Sequence, residues 1–264
     1  MTTDRPGDHW RRALRETAPP PHLADAAPER PRHLEPEMFR WRPEQDAAQP
    51  ERPSRLRARE ALPQGGTLLD VGVGGGGSSL GLASRAGVIV GVDRSEAMLA
   101  SFLESAASEG VEARAVLGEW PDVAGEVEPA DVAVCHHALY FAEEIEAFLD
   151  ALTSRARRRV VVEVSAEPPP VGLRPIWRAI HGEERATRPV ADDLAGVLSA
   201  MGIEAQREDV VIPPQPREVT PQLVAFARRR LLVGEDRDEE IAALLRTLPR
   251  PDHRVVAFWW DGGA

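Results

Sequence analysis

The chain of 264 residues contains no lysine, one cysteine (Cys135) and one tyrosine (Tyr140). Each scarcity removes some chemistry. Without lysine there is no lysine-based catalysis and no Tyr-x-x-x-Lys pair. With one cysteine there is no intrachain disulfide and no cysteine-based zinc cluster, and no metal site is expected. No stretch approaches the ~20 apolar residues of a membrane span. Residues 1–15 are polar and lack the apolar core of a signal peptide, so a cytoplasmic protein without a membrane partner is expected. Positive charge is also short, at a formal net −11, which argues against binding nucleic acid through phosphates. Arginine is locally dense at Arg155, Arg157, Arg158 and Arg159 and again at Arg228, Arg229 and Arg230. The missing lysine beside abundant Arg, Ala and Pro also fits GC-rich coding, so the arginine count is not by itself a function.

What is present is an ordinary globular balance of 42% apolar and 28% charged residues. Residues 1–53 form a Pro/Arg-rich leader, with Pro19-Pro20-Pro21 and prolines at 28, 31, 36, 43, 50 and 53. Such density opposes long helices, and partial disorder is expected over 1–30. Met38-Phe39-Arg40-Trp41 carries bulky apolar groups and is expected to dock. The domain proper is expected over 54–264, with small helical insertions at 168–201 and 219–248.

Strand and helix patterns alternate from Thr67 onward. Leu68–Val71, Val88–Val92, Val111–Val116, Ala130–Val134 and Arg159–Val164 read as strands. Helices are expected at Ser54–Leu62, Ser78–Arg85, Ser95–Ser108 and Ile145–Ser154, the third with an apolar face of Ala97, Met98, Phe102 and Leu103. Later come helices at Leu173–Ile180, Ala191–Met201, Pro221–Leu232 and Glu235–Leu248, and strands at Glu204–Ile212 and Arg254–Trp260. The rhythm predicts an α/β fold: a doubly wound, mostly parallel seven-stranded Rossmann-like sheet with helices on both faces.

The segment LLDVGVGGGGSS, Leu68 to Ser79, places glycines directly after the first strand. There they permit a tight turn and the close approach of a ligand. Asp93, 21 residues beyond Gly72, ends the second strand, where an acid can accept both hydroxyls of a ribose. An adenosine-containing cofactor follows. Gly72, Gly74 and Gly77 satisfy G-x-G-x-x-G, so NAD and an oxidoreductase stay in view. Asp70 two residues before the first glycine, and a motif that starts only near residue 68, point elsewhere.

The stretches LLDVGVGGGGSS, VIVGVDRSEAML and ADVAVCHHALYF resemble the ordered motifs of the class I S-adenosylmethionine-dependent methyltransferases, over roughly residues 65–165. The resemblance implies S-adenosyl-L-methionine as cofactor and a methyltransferase as the activity. It implies that Asp70 organises the loop and contacts the methionine moiety, with Gly72, Gly74 and Gly76 as loop glycines and Asp93 on the ribose. Arg94 stands where the family packs a residue on adenine, and an arginine is less typical there. Met98, Gly118, Glu119 and Trp120 are the remaining candidate cofactor contacts, though Trp120 also reads as a plain core anchor.

The acceptor is expected near the end of the fourth strand, which runs into Cys135-His136-His137-Ala138-Leu139-Tyr140. A histidine there can act as a base, line the cofactor or acceptor pocket, or bond within its own loop. His136 and His137 are the catalytic candidates, and His136 also a cofactor contact. Trp41, Tyr140, Trp177 and His181 are candidate acceptor contacts, on the view that the leader and the segment between strands five and six form a lid. The Asn-Pro-Pro-Tyr type motif of DNA and protein amide methyltransferases is replaced by His-His-Ala-Leu. A small-molecule acceptor is therefore expected, its methylated atom open. A cofactor-binding protein without turnover is the other reading.

Overall fold

The computed structural model describes residues 5–26, 36–47, 51–169, 171–214 and 218–264. The expected disorder at 1–4 and 27–30, and the prolines at 28, 31 and 50, lie outside the described residues. Within them the leader is helical: α1 (Pro6–Glu16), α2 (Pro21–Ala26), α3 (Pro36–Phe39), α4 (Pro43–Ala47) and α5 (Pro53–Ala61). All five open on a proline. At the first helical position the missing N–H has no partner to lose and the fixed φ is already helical. Proline density thus cuts the leader into short helices and leaves it structured.

The first of these is anchored. Trp10 is 1% exposed and its indole N–H donates to the Ala142 carbonyl at 2.9 Å. Arg11 and Arg15 reach Glu144 and Glu143, and His9 meets Asp193 at 3.1 Å. Residues 6–16 are therefore a docked helix within the leader for which partial disorder is expected.

The domain continues with β1 (Gly66–Val71), β2 (Ala86–Asp93), α6 (Glu96–Ser108), β3 (Glu112–Leu117), β4 (Ala130–His136), α7 (Ile145–Ser154) and β5 (Ala156–Ser165). It ends with α8 (Arg174–His181), α9 (Ala191–Ala200), β6 (Gln206–Ile212), α10 (Pro221–Leu231), α11 (Asp238–Thr247) and β7 (His253–Asp261). The seven strands lie in the order β3-β2-β1-β4-β5-β7-β6. Neighbours from β3 to β5 are parallel, while β7 runs antiparallel between β5 and β6. Strand order reverses between β1 and β4, which opens a crevice beyond their carboxyl ends.

The pleat sends alternate residues to opposite faces. Leu69, Val71, Ala133, Cys135, Val162 and Trp260 pack on one side with Trp10, Leu149 and Leu194. Leu68, Ile89, Val132, Val134 and Val161 pack on the other with Ala58, Leu62 and Phe102. Trp259 and Trp260 divide between the two sides, as alternation requires. A third cluster, built by α8, α10 and α11 around Ile176, Trp177, Ala227, Leu231 and Ile241, is separate.

Two local expectations are corrected. Ser78–Arg85 is no α-helix; only Leu80–Leu82 form a 3₁₀ turn. Glycines at 74–77 and 81 leave too little helix propensity, and Leu80 and Leu82 instead drop into the core. The buried face of α6 is Met98, Leu99, Phe102, Ser105 and Ala106; Leu103 is 39% exposed and Ala97 is exposed.

If α1 is an integral part of the domain, Trp10→Ala will lower unfolding free energy by about 3–5 kcal/mol, the usual cost of a large aromatic truncation in a core. Urea denaturation followed by far-UV circular dichroism measures it. A change below ~1 kcal/mol would mean that α1 is only loosely attached.

Candidate functional site

A cleft of about 1070 Å³ lies at the crevice. Its floor is the glycine loop. Gly72 has φ +74, and a Cβ there would come within 2.4 Å of the Ala138 Cβ, so this turn accepts only glycine without strain. Asp93, at the tip of β2, holds the loop from the side. One of its oxygens accepts from the Gly74 amide at 2.9 Å, the other from the Ser95 amide at 2.9 Å.

Asp70 lies below the loop. It is fully buried, accepts from the Ser78 hydroxyl at 2.6 Å, and its second oxygen has no partner. Burial pushes its pKa up to about 6, against the smaller opposing pull of the nearby Ser78 and Ser79 hydroxyls. Asp70 is not among the residues of the cleft wall; it bonds Ser78 beneath the loop. Gly76 is likewise not in the wall. With φ +92 and Leu80 packed where a Cβ would stand, its role is conformational, and Gly77 faces the cleft instead.

A strap from the leader crosses this loop. The Trp41 amide donates to the Gly75 carbonyl at 3.2 Å. A Cβ on Gly75 would stand 2.1 Å from the Phe39 carbonyl oxygen. Phe39, Trp41 and Arg42 line the cleft as a result.

One side wall is Arg94, Met98, Gly118, Glu119 and Trp120. Trp120 is only 7% exposed, and its indole donates to the Phe148 carbonyl at 3.2 Å. It is a core anchor that shows one edge to the cleft. The Arg94 guanidinium lies 4.6 Å over the Phe141 ring, which accounts for an arginine at that position.

The opposite wall carries His136 and His137. Burial, followed by smaller effects that include the nearby Arg52 and Arg55, pushes the His136 pKa down to about 4, and Glu163 opposes this. His136 is thus neutral at pH 7, and its Nε2 has no hydrogen-bond partner. His137 has φ +57, a left-handed conformation costly for a side chain with a Cβ. Its amide donates to the Glu163 carbonyl at 2.8 Å and its Nε2 meets the Glu163 Oε1 at 3.1 Å. The Glu163 carboxylate, 1% exposed, also accepts from Ser54 at 2.7 Å and from Arg52. Burial disfavours its ionisation, but His137, His136 and Arg52 outweigh it and hold the carboxyl well below its usual range.

Three expected acceptor contacts are not in the cleft wall. The Tyr140 hydroxyl donates to the Ser165 carbonyl at 3.0 Å, and burial raises its pKa. Trp177 and His181 stack at 4.3 Å within the α8–α10–α11 cluster, and His181 Nε2 bonds the Leu231 carbonyl at 2.7 Å. The amphipathic face of α8 is consumed by packing on α10 and α11. Conversely, Gly75, Arg52, Arg55, Phe141, Glu163 and Arg230 line the cleft and escaped sequence reasoning. For Glu163 a signal existed: it is the lone charge in the apolar run Val160–Val164. Among the described residues no group of three or more His, Cys, Asp or Glu side chains is placed to hold a metal ion. No helix among them is long and apolar enough to cross a membrane.

A glycine loop at the switch point of a parallel sheet, gripped by an acid from the neighbouring strand, is the arrangement of a Rossmann-like domain. Residues 68–158 match the family model described as "Methyltransferase domain". Among solved structures, the YcgJ protein from Bacillus subtilis superposes with a TM-score of 0.54 at 15% identity, covering 80% of this chain and 98% of that one. A SAM-dependent methyltransferase from Thiobacillus denitrificans, in complex with S-adenosyl-L-homocysteine, gives 0.52 at 18% identity over 93% of this chain and 100% of that one. One from Geobacter sulfurreducens, in the same type of complex, gives 0.51 at 18% identity over 83% and 96%. No curated protein sequence matches the chain. The domain match covers residues 68–158 alone, and the likeness of the solved structures, together with the strand order, shows the Rossmann-like fold.

Two outcomes follow from this geometry. Gly75→Ala should displace the strap from the loop, read as faster limited proteolysis within residues 36–47 and an altered Trp emission. Unchanged proteolysis would mean that the strap does not depend on this contact. Asp70→Asn tests the buried carboxyl. A folded-state pKa near 6 against an ordinary 3.8 means that the folded state holds the extra proton. The wild type therefore loses stability as pH rises from about 4 to 6. The variant should gain on the wild type across that window, by at most about 3 kcal/mol, in denaturation curves at pH 4 and 7.

Proposed function

We propose that this protein transfers a methyl group from S-adenosyl-L-methionine to a small-molecule acceptor. The observation that carries the reading is the cleft floor, a glycine loop clasped by Asp93 at the switch point of the sheet. The residues present suit the cofactor. Gly74 and Gly77 leave open space where a Cβ would stand, so a ligand can lie against bare backbone. The unpartnered His136 Nε2 and Trp41 Nε1 belong to cleft-lining residues, and buried polar atoms of this kind normally find a partner. Asp93 and the loop amides would hold the ribose and the amino-acid end. Glu119, Met98 and Arg94 would bound the base.

S-adenosylmethionine, when bound, supplies a methyl group activated on a sulfonium. The chain's own contribution is then to place the acceptor and, where the acceptor carries a proton, to remove it. His137 suits that task better than His136, which burial makes a weak base. Glu163 engages the His137 Nε2 and thereby leaves Nδ1 as the nitrogen free to accept. A cleft of about 1070 Å³ is ample for a cofactor together with a small molecule, since single-ligand pockets run from ~300 to ~1,000 Å³.

Calorimetric titration with S-adenosylmethionine, S-adenosylhomocysteine and NAD(H), on the wild type and on Asp93→Ala, tests the reading. Micromolar binding of the two sulfur nucleotides, weakened tenfold or more by the substitution, is the expected result. Binding of NAD(H) alone would overturn it.

A further inference from the structure

Burying a charge without a partner is costly, so half-buried guanidinium groups are normally found against a carboxylate. Arg185 and Arg230 have none among the described residues. Arg185 donates to the Thr17 carbonyl at 2.7 Å and lies 4.8 Å over the Trp177 ring. Arg230 has the Phe226 ring at 5.5 Å. Both line a small pocket of about 20 Å³, with Arg174, Thr17, Leu173 and Trp177 around them. Burial lowers the pKa of Arg185, and the charges of Arg230 and Arg174 lower it further; burial, then Arg229, does the same to Arg230. Of the three arginines in the pocket only Arg174 has an acidic partner among the described residues, Glu167.

Arg230 also borders the main cleft. The other arginines there are engaged: Arg40 and Arg42 with Glu37, Arg52 with Glu163, and Arg55 with Asp46. Arg94 is exposed, over Phe141. Among the described residues, Arg230 is thus the half-buried cation of the cleft left without a counter-charge.

We propose that the methyl acceptor is an acidic small molecule whose carboxylate is held by Arg185 and Arg230, at the place where the small pocket and the cofactor cleft share the Arg230 side chain. The planar guanidinium fork matches a carboxylate through paired hydrogen bonds. A space of 20 Å³ takes one or two water-sized groups, at ~10–15 Å³ each, which suits a carboxylate better than a phosphoryl group. The inference rests on the methyltransferase reading for the word acceptor, and on the arginines alone for the anion.

The test titrates the full chain at low salt with benzoate, with its neutral analogue benzamide and with phenyl phosphate, each with and without saturating S-adenosylhomocysteine. Benzoate should bind at least tenfold tighter than benzamide. Arg185→Gln and Arg230→Gln should each cost benzoate tenfold or more, while S-adenosylhomocysteine affinity stays within twofold. Arg178→Gln, an exposed residue paired with Glu184, should change neither. Arg230→Lys, which keeps the charge and loses the fork, should fall between wild type and Gln if the fold is intact. Equal binding of benzoate and benzamide, or unchanged benzoate binding in the Gln variants, would overturn the site. A tenfold preference for phenyl phosphate would overturn the carboxylate assignment. If S-adenosylhomocysteine fails to bind the wild type, the methyltransferase reading and the acceptor role fall together. The titrations without it then still decide whether the arginines hold an anion.

Discussion

The buried carboxylate of Glu163 stands near the carboxyl end of a central parallel strand, 1% exposed. An ion in such a place is tolerated only when neighbours compensate it, since the desolvation penalty is several kcal/mol. Compensation comes from three directions: Arg52 just before α5, Ser54 within it, and His137 at the end of β4. One charge therefore ties the end of the leader to the sheet and turns His137 into its left-handed conformation. The cleft wall on that side is the consequence.

The opposite wall and the floor rest on a second carboxylate used in the same manner. Asp93 accepts two backbone amides, one from the loop and one at the start of α6, and so fixes the spacing between them. Asp70, beneath, is left with an unsatisfied oxygen and a pKa near 6. The two acids around the glycine loop thus have different work. Asp93 borders the cleft, and Asp70 supports the loop from below.

The leader completes the site. Its prolines start five helices and leave the segment between α3 and α4 free to lie over the loop, where the bare backbone of Gly75 admits the Phe39 carbonyl. At the far side, α8, α10 and α11 pack mainly on each other. That packing keeps Trp177 and His181 out of the main cleft wall, while it leaves Arg230 bordering both cavities.

The order of elements, the parallel sheet, and the placing of the glycine loop, Asp93, Trp41, Glu119 and the histidine pair at one crevice were legible in the sequence. They depend on local pattern: apolar runs of strand length, helical spacing, and motif position relative to a strand. The helix after the glycine loop was misread, because propensity inside a run of glycines is too weak to decide against the pull of Leu80 and Leu82 into the core. Asp70, Tyr140, Trp177 and His181 lie outside the main cleft wall, because whether a side chain faces a cavity depends on what packs beside it. The docking of α1, the charge compensation of Glu163 and the meeting of Arg185 with Arg230 were decided only by tertiary structure. Each joins residues distant in sequence, through burial and Coulomb terms that exist only once the chain is folded.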